Sequence, residues 1–143
     1  MTELNSSEQW LLVLRKDQWL VKELTEFAKR TGIRGGSIHG IGALKNVELG
    51  FYHLDTKSYE RKTFNGEDFE LISLHGNFTL RDNEPYVHVH CSLGRSDFSV
   101  IGGHLFDGQV AVTAEIAVAP FGRMPQRQLD PEVGLQLICG FAK

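Results

Sequence analysis

The sequence predicts a single domain of the mixed α/β (α+β) class, with one main helix near the N-terminus and a mostly antiparallel sheet. The chain has 143 residues, of which 41% are hydrophobic and 23% charged, and this composition suits one globular domain with its own core. Only one segment has a clear helical period. From residue 37 onward the apolar segments have the length and composition of strands. We therefore assign residues 1–143 to one domain.

The N-terminal part predicts a strand followed by the helix. Gln9–Arg15 is short and apolar, as expected of a strand. Asp17 stands where an N-cap is expected, and Gly32 follows the last helical residue as a C-terminal glycine. Between them, four apolar residues recur at helical spacing: Leu20, Leu24, Phe27 and Ala28.

The middle of the chain predicts a succession of strands. They are Ile38–Leu44, Val47–His53, Tyr59–Thr63, Phe69–Leu80 and Tyr86–Leu93. Gly76 interrupts the longest of these and indicates a bulge or a close approach of another backbone.

The C-terminal part predicts a hairpin and then a loop. Phe98–Leu105 and Gln109–Val118 flank an Asp107-Gly108 pair, which is a strong hairpin signal. Pro120–Pro131 is predicted to be a loop. The apolar pattern of Leu135–Phe141 leaves its secondary structure open.

The residues with the clearest chemical potential are His88, His90 and His104. Alternation along a strand places His88 and His90 on one face, about 6.6–7 Å apart, where two imidazoles can reach one ion. His104 follows Gly102-Gly103, which would let the backbone approach a neighbour or a ligand. Three imidazoles with an open position suit Zn²⁺ or another divalent transition metal. The spacing alone also fits a polar sheet face without any metal.

Two further residues are candidates for orienting a metal-bound histidine from outside the ligand set. Glu115 alternates with apolar residues in a predicted strand, and His75 lies in apolar strand surroundings. A surface glutamate and a structural histidine are the simpler interpretations of these two. They are the only candidates for a general acid or base, so the sequence leaves open whether the protein is an enzyme.

Charge and composition argue against several classes of partner. The 15 basic and 18 acidic residues give a net charge of −3, and no basic face or tail is visible, so we expect no tight binding of duplex DNA. Arg123 and Arg127, in the predicted loop, are the best candidates for contacting a phosphate. We expect a cytoplasmic protein with no membrane span and no signal peptide, in which Cys91 and Cys139 are reduced thiols.

Four ordered motifs resemble the plants-and-prokaryotes-conserved domain, the PPC or DUF296 family. They lie between about Trp10 and Val118. They are the segment from Gly40 to Tyr52, the segment from Phe69 to Asn77, His88-Val89-His90, and Gly102-Gly103-His104-Leu105 with Gly108.

This resemblance implies a compact domain with a strongly bent antiparallel sheet that assembles as a homotrimer. It also implies that His88, His90 and His104 are zinc ligands, as in prokaryotic members of the family. Plant members carry AT-hooks that contact DNA, but the Arg-Gly-Arg-Pro core of that hook does not occur in this sequence.

Three functions follow as hypotheses. The first is a trimeric metal-binding domain whose three-histidine site binds or transforms a small ligand. The second is a DNA-associated or transcription-related scaffold of the same family. The third is a structural trimer in which the metal only stiffens the fold.

Overall fold

The computed structural model of the protein describes residues 1–6 and 9–142, and most of these residues belong to strands. The fold is therefore mainly β, and the predicted α/β class is met only loosely, through one helix packed on a mixed sheet. In the described part of the chain, no helix has the length and apolar character needed to cross a membrane. The elements are β1 (Thr2–Ser6), β2 (Gln9–Arg15), α1 (Leu20–Thr31), β3 (Gly36–His53), β4 (Ser58–Arg81), β5 (Glu84–Gly94), β6 (Val100–Pro120), β7 (Met124–Asp130) and β8 (Leu135–Ala142).

The helix is where the sequence predicts it, and its four periodic apolar residues are all buried in the core. Gly32 ends it in the left-handed conformation with φ of 73°, as predicted. The prediction of Asp17 as N-cap is wrong. Trp19 holds that position without a side-chain cap, and the Val21 N–H donates to Asp107 Oδ1 on β6 at 2.9 Å. Asp17 instead accepts a hydrogen bond from Lys45.

Several predicted strands are segments of longer ones. The two strands predicted before and after residues 45–46 are joined into β3. The two strands predicted before and after residues 64–68 are joined into β4. Asn46 adopts a left-handed conformation (φ 49°) beside a register shift between Lys45 and Val47, so the chain bulges there instead of turning. The strands therefore bend while their pairing continues.

The predicted hairpin at Asp107-Gly108 is also wrong, because β6 runs without interruption through both residues. The Asp107 carboxylate accepts hydrogen bonds from the backbone N–H groups of Val21 and Gly108, so it stabilises the start of α1. Gly108 lies against the side chains of Leu44 and Val47. The pairing of β6 with β3 shifts register in this region, which gives a bend in place of a turn.

The sheet closes on itself. Its main path runs β1-β2-β6-β3-β4-β7-β8, and β5 pairs with both β4 and β6. Strands β3, β4, β5 and β6 thus form a closed antiparallel ring, which requires strong curvature. The core lies between this curved sheet and α1, and Phe27, Phe69 and Phe78 are its largest fully buried side chains.

The last two strands correct and complete the sequence prediction. Residues 120–131, predicted to be a loop, contain β7, which pairs in parallel with β4 at Leu80 and Arg81. The apolar segment of undecided type is β8, and it pairs antiparallel with β7. This β7–β8 hairpin therefore lies along the end of β4.

Candidate metal centre

The three predicted histidines come together where the ring of strands closes. On β5, Val87, Val89 and Cys91 are buried, while His88 and His90 project from the opposite face, as the alternation predicts. His104 on β6 is directly opposite His90 in the register of the two strands. Its other strand neighbour is Gly50 on β3, so His104 lies at the junction of β3, β5 and β6.

The distances between the imidazoles suit a common ligand. One ring nitrogen of each histidine can be chosen so that all three lie within 4.8 Å of one another. The ring centroids are 5.2 Å apart for His88 and His90, 5.3 Å for His88 and His104, and 5.4 Å for His90 and His104. Rings at this spacing form a triangle whose nitrogen atoms can reach one ion with small side-chain adjustments.

Glycines allow the strands to approach closely around these histidines. A Cβ on Gly76 would collide with the backbone carbonyl oxygen of His88 and would lie 2.7 Å from the Val89 Cα. A Cβ on Gly103 would lie 2.8 Å from the backbone oxygen of Gly50. The predicted close approach at Gly76 and next to His104 is thus confirmed, although no register shift occurs at Gly76 itself.

Burial keeps the imidazoles uncharged near neutral pH. It is the largest of the causes that together lower the pKa of His88 and of His104 to about 4, and the positive charge of Arg127 contributes to both shifts. Burial also lowers the pKa of His90. Neutral imidazole is the form that binds a metal ion, so all three side chains are in the protonation state of a ligand at pH 7.

An unsatisfied polar atom supports the same interpretation. His104 is only 7% exposed, and its Nδ1 atom is buried without a hydrogen-bond partner. A buried nitrogen of this kind is costly unless something occupies its lone pair or accepts its proton. Together with the neutral donor set, this orphaned atom fits a metal ion held by three imidazoles.

Arg127 is a neighbour of the site that the sequence did not connect with the histidines. Its Nη2 donates to Nδ1 of His88 at 3.0 Å and to Oδ1 of Asn77 at 3.2 Å. Its Nε donates to Thr79 Oγ1, and its Nη1 donates to the backbone oxygen of Gln136, each at 2.8 Å. The pairing of β7 with β4 brings Arg127 here, so no local sequence signal could have revealed the contact.

A cavity of about 370 Å³ opens beside His88 and His104. Aromatic rings form part of its wall, and Tyr59 and Phe106 lie 5.3 and 4.7 Å from the His104 ring, centroid to centroid. Three cationic side chains also line it, and among the described residues its lining contains no carboxylate. The remaining lining residues are Tyr52, Lys57, Ser58, Arg81, Tyr86, Arg127, Gly134, Leu135, Gln136 and Leu137.

His75 and Glu115, the two candidates for orienting a metal-bound histidine, lie in different parts of the structure. His75 on β4 is directly opposite His90, so it adjoins the site on the exposed face of the sheet. Glu115 is eleven residues along β6 from His104, opposite Val13 and Ile41, and lines a separate, largely apolar cavity. Their role in orienting a ligand histidine stays a prediction for both.

Comparison with known proteins identifies the family. The sequence model of the Plants and Prokaryotes Conserved (PCC) domain family matches residues 1–122, which is most of the chain. The chain belongs to the PCC domain family. The resemblance carried by the four motifs is thereby confirmed. Among curated proteins, no sequence matches this PCC domain significantly.

Solved structures similar to this PCC domain come from bacteria and archaea. A candidate DNA-binding protein of Bacteroides thetaiotaomicron is 31% identical, with a TM-score of 0.92, and the match covers 99% of this chain and 96% of that one. A metal-containing protein of Archaeoglobus fulgidus is 32% identical, with a TM-score of 0.86 and coverage of 98% and 99%. A plant- and prokaryote-conserved protein of Pyrococcus horikoshii is 32% identical, with a TM-score of 0.83 and coverage of 97% and 95%.

Proposed function

We propose that this PCC domain holds one divalent transition metal, zinc by preference, on His88, His90 and His104, and that the metal binds or transforms a small ligand in the adjoining cavity. The observation that carries this proposal is the cluster of three neutral imidazoles with nitrogen atoms within 4.8 Å of one another. The partnerless Nδ1 of His104 supports it. The similarity to the metal-containing protein of A. fulgidus adds further support.

Ligand binding is favoured over a purely structural role because the site adjoins a cavity and is not enclosed in the core. His90 is exposed and His88 is half-buried, and the cavity of about 370 Å³ leads to His88 and His104. A zinc ion held by three histidines keeps an open coordination position and would act there as a Lewis acid. Because no Asp or Glu lines the described cavity, binding is better supported than carboxylate-assisted catalysis.

We propose that the working form is a cytoplasmic homotrimer. An apolar surface on the outside of the sheet supports self-association, since Ile41, Ile72 and Val112 are 57%, 50% and 69% exposed and line one cavity. Phe98, which is 93% exposed, lines a second cavity together with Ile72 and Val112. Apolar patches of this kind commonly mark protein–protein interfaces. Light scattering should give about three times 16.1 kDa, and a concentration-independent monomer would overturn the trimer.

Chelation separates a ligand-binding metal from a structural one. Protein purified without chelator should contain close to one zinc per chain, and dialysis against a chelator should remove it while the fold survives. A metal that only stiffens the fold should lower the melting temperature strongly when it is removed. Retention of circular dichroism and of a cooperative melt near the original temperature therefore supports the ligand-binding site.

DNA association is the second candidate function, and the B. thetaiotaomicron structure favours it through its description as a candidate DNA-binding protein. The net charge of −3 per chain, or 3 × (−3) = −9 per trimer, opposes it. We expect only nonspecific contact, weaker than about 10⁻⁶ M. Fluorescence anisotropy at roughly physiological ionic strength, about 150 mM salt, tests this, and nanomolar sequence-dependent binding would move the DNA function ahead of the metal-based one.

A further inference from the structure

Three cationic side chains line the cavity beside the histidines without any acidic partner. They are Lys57, Arg81 and Arg127. Lys57 donates to the backbone oxygen of Pro131 at 3.0 Å, and the Arg81 guanidinium lies 4.6 Å from the centre of the Tyr86 ring. None of the three forms an ion pair within residues 1–6 and 9–142.

Arg127 is the most constrained of these cations. It is half-buried, its four hydrogen-bond partners are all neutral, and its guanidinium lies 5.3 Å from the centre of the Tyr86 ring. A guanidinium carries five N–H donors in a fixed plane, and here they are held in place before any ligand arrives. Its positive charge is therefore positioned but not neutralised.

Some cations elsewhere on the domain form ion pairs with carboxylates, and others do not. Lys45 pairs with Asp17 at 2.6 Å, Arg61 with Glu48 at 2.8 Å, and Arg95 with Glu67 at 3.3 Å. Lys57, Arg81 and Arg127 are distinguished by their position, because all three line one cavity whose described lining contains no carboxylate. Their combined field in a partly desolvated cavity favours an anionic guest.

We infer that this cavity is an anion-binding site, and that the ligand of the proposed metal centre is a small molecule bearing a carboxylate or phosphate group. The second part of this inference, that the anion is a ligand of the metal centre, rests on the proposed function. The first part, that the cavity binds anions, rests only on the three cationic side chains. Arg127 would bind the anionic group beside His88, with Arg81 and Lys57 at the exposed side of the cavity. Its volume of about 370 Å³ lies at the small end of the range for ligand pockets, which fits a compact anion.

Calorimetric titration of the purified full chain with three probes tests this inference. The probes are malonate, inorganic phosphate and malonamide, the last being an uncharged analogue of malonate with nearly the same shape. At least one anion should bind, and malonamide should not. Tighter binding of malonate identifies a carboxylate site, whereas tighter binding of phosphate identifies a phosphate site.

Substitutions at the exposed cations show where the anion binds. Lys57→Gln and Arg81→Gln each remove a charge from an exposed side chain and should leave the fold intact. Each should weaken anion binding by about ten-fold, the effect of losing one charge-assisted hydrogen bond. Lys62→Gln is the matched control, because Lys62 is exposed on β4 and lies over Phe64, outside the cavity lining. Its anion affinity should equal that of the wild type.

The anion site and the metal site can fail independently. Zinc content is measured before each titration, and every titration is repeated on chelator-treated protein. A chain that binds no zinc but still binds anions through Lys57 and Arg81 refutes the metal proposal and keeps the anion site. Two results overturn the anion site: neither anion binds more tightly than malonamide, or Lys57→Gln and Arg81→Gln behave like Lys62→Gln.

Discussion

Nη2 of Arg127 donates a hydrogen bond of 3.0 Å to Nδ1 of His88. A guanidinium can only donate, so Nδ1 must accept, and the neutral ring then carries its proton on Nε2. A metal ion needs a lone pair on one of these nitrogen atoms. If the metal ion binds Nδ1, it takes the lone pair that accepts the hydrogen bond from Arg127. If the metal ion binds Nε2, the proton of the neutral ring moves to Nδ1, and Nδ1 can then no longer accept a hydrogen bond. Metal binding at His88 and this hydrogen bond therefore exclude each other.

Replacing Arg127 should consequently strengthen metal binding. We expect Arg127→Gln to bind zinc about ten-fold more tightly, which corresponds to about 1.4 kcal/mol, because the variant removes both the competing donor and a nearby positive charge. Competition against a chromophoric chelator measures the affinity. Arg81→Gln is the control, since Arg81 lines the same cavity but its guanidinium lies over Tyr86. Weaker zinc binding in Arg127→Gln would mean that Arg127 holds His88 in place for the metal instead.

The stability of the metal-free protein should depend on His88, which is half-buried, and on His104, which is buried. Their pKa values are about 4 in the folded protein and near the ordinary 6.5 in the unfolded chain. Between these values the unfolded chain binds more protons, so the free energy of unfolding should fall as the pH is lowered from about 6.5 to about 4. Urea titrations in the presence of chelator measure this decrease. The double variant His88→Asn, His104→Asn should show a flatter profile, and an equal slope in the two proteins would contradict the assignment.

Gly76 should be intolerant of any side chain because of the backbone of β5. The added methyl group of Gly76→Ala would collide with the His88 carbonyl oxygen, which the sheet holds in place, and we expect a loss of about 1–3 kcal/mol in unfolding free energy. The displacement of His88 should also weaken zinc binding. At Gly122, apart from its chain neighbours, no atom of the described residues lies within 4 Å of an added Cβ, so Gly122→Ala should change stability by no more than about 0.5 kcal/mol. Equal stabilities of the two variants would refute the close approach.

Asp107 should stabilise α1 from a distance of 86 residues in sequence. Asp107→Ala removes the acceptor of the Val21 N–H and should cost about 1–2 kcal/mol, the usual value of an N-cap. Chemical denaturation measures this loss, and Asp55→Ala, in the exposed turn after β3, is the control. A variant as stable as this control would show that solvent satisfies the helix terminus equally well.

The elements that could be predicted from the sequence are those defined by local patterns. The period of Leu20, Leu24 and Phe27 locates α1, and the alternation around His88 and His90 places both imidazoles on one face of β5. Asp107-Gly108 was misinterpreted because a hairpin signal describes only local backbone preference. The backbone N–H of Val21 at the start of α1 needs an acceptor, and Asp107 provides it. This contact joins residues that are distant in sequence, so no local pattern shows it.

The remainder of the site depends on contacts between distant segments. Arg127 stood out in the sequence as a cation able to contact a phosphate, but its loop is a strand, and only the parallel pairing with Arg81 brings it to His88. Lys57 belongs to the turn before β4, and nothing near it in the sequence relates it to a histidine. His75, His90 and His104 are likewise neighbours across three strands, and this follows only from the register in which β4, β5 and β6 pair.

The central claim is that His88, His90 and His104 together hold one metal ion, and zinc titration by calorimetry tests it most directly. The wild type should bind one zinc per chain, and His104→Ala should abolish this binding, because two imidazoles leave the ion with too few protein ligands. His39→Ala is the matched control, since His39 is an exposed histidine on β3, opposite His75 and outside the cluster. It should bind zinc as the wild type does. Stoichiometric zinc binding that survives in His104→Ala would contradict the account.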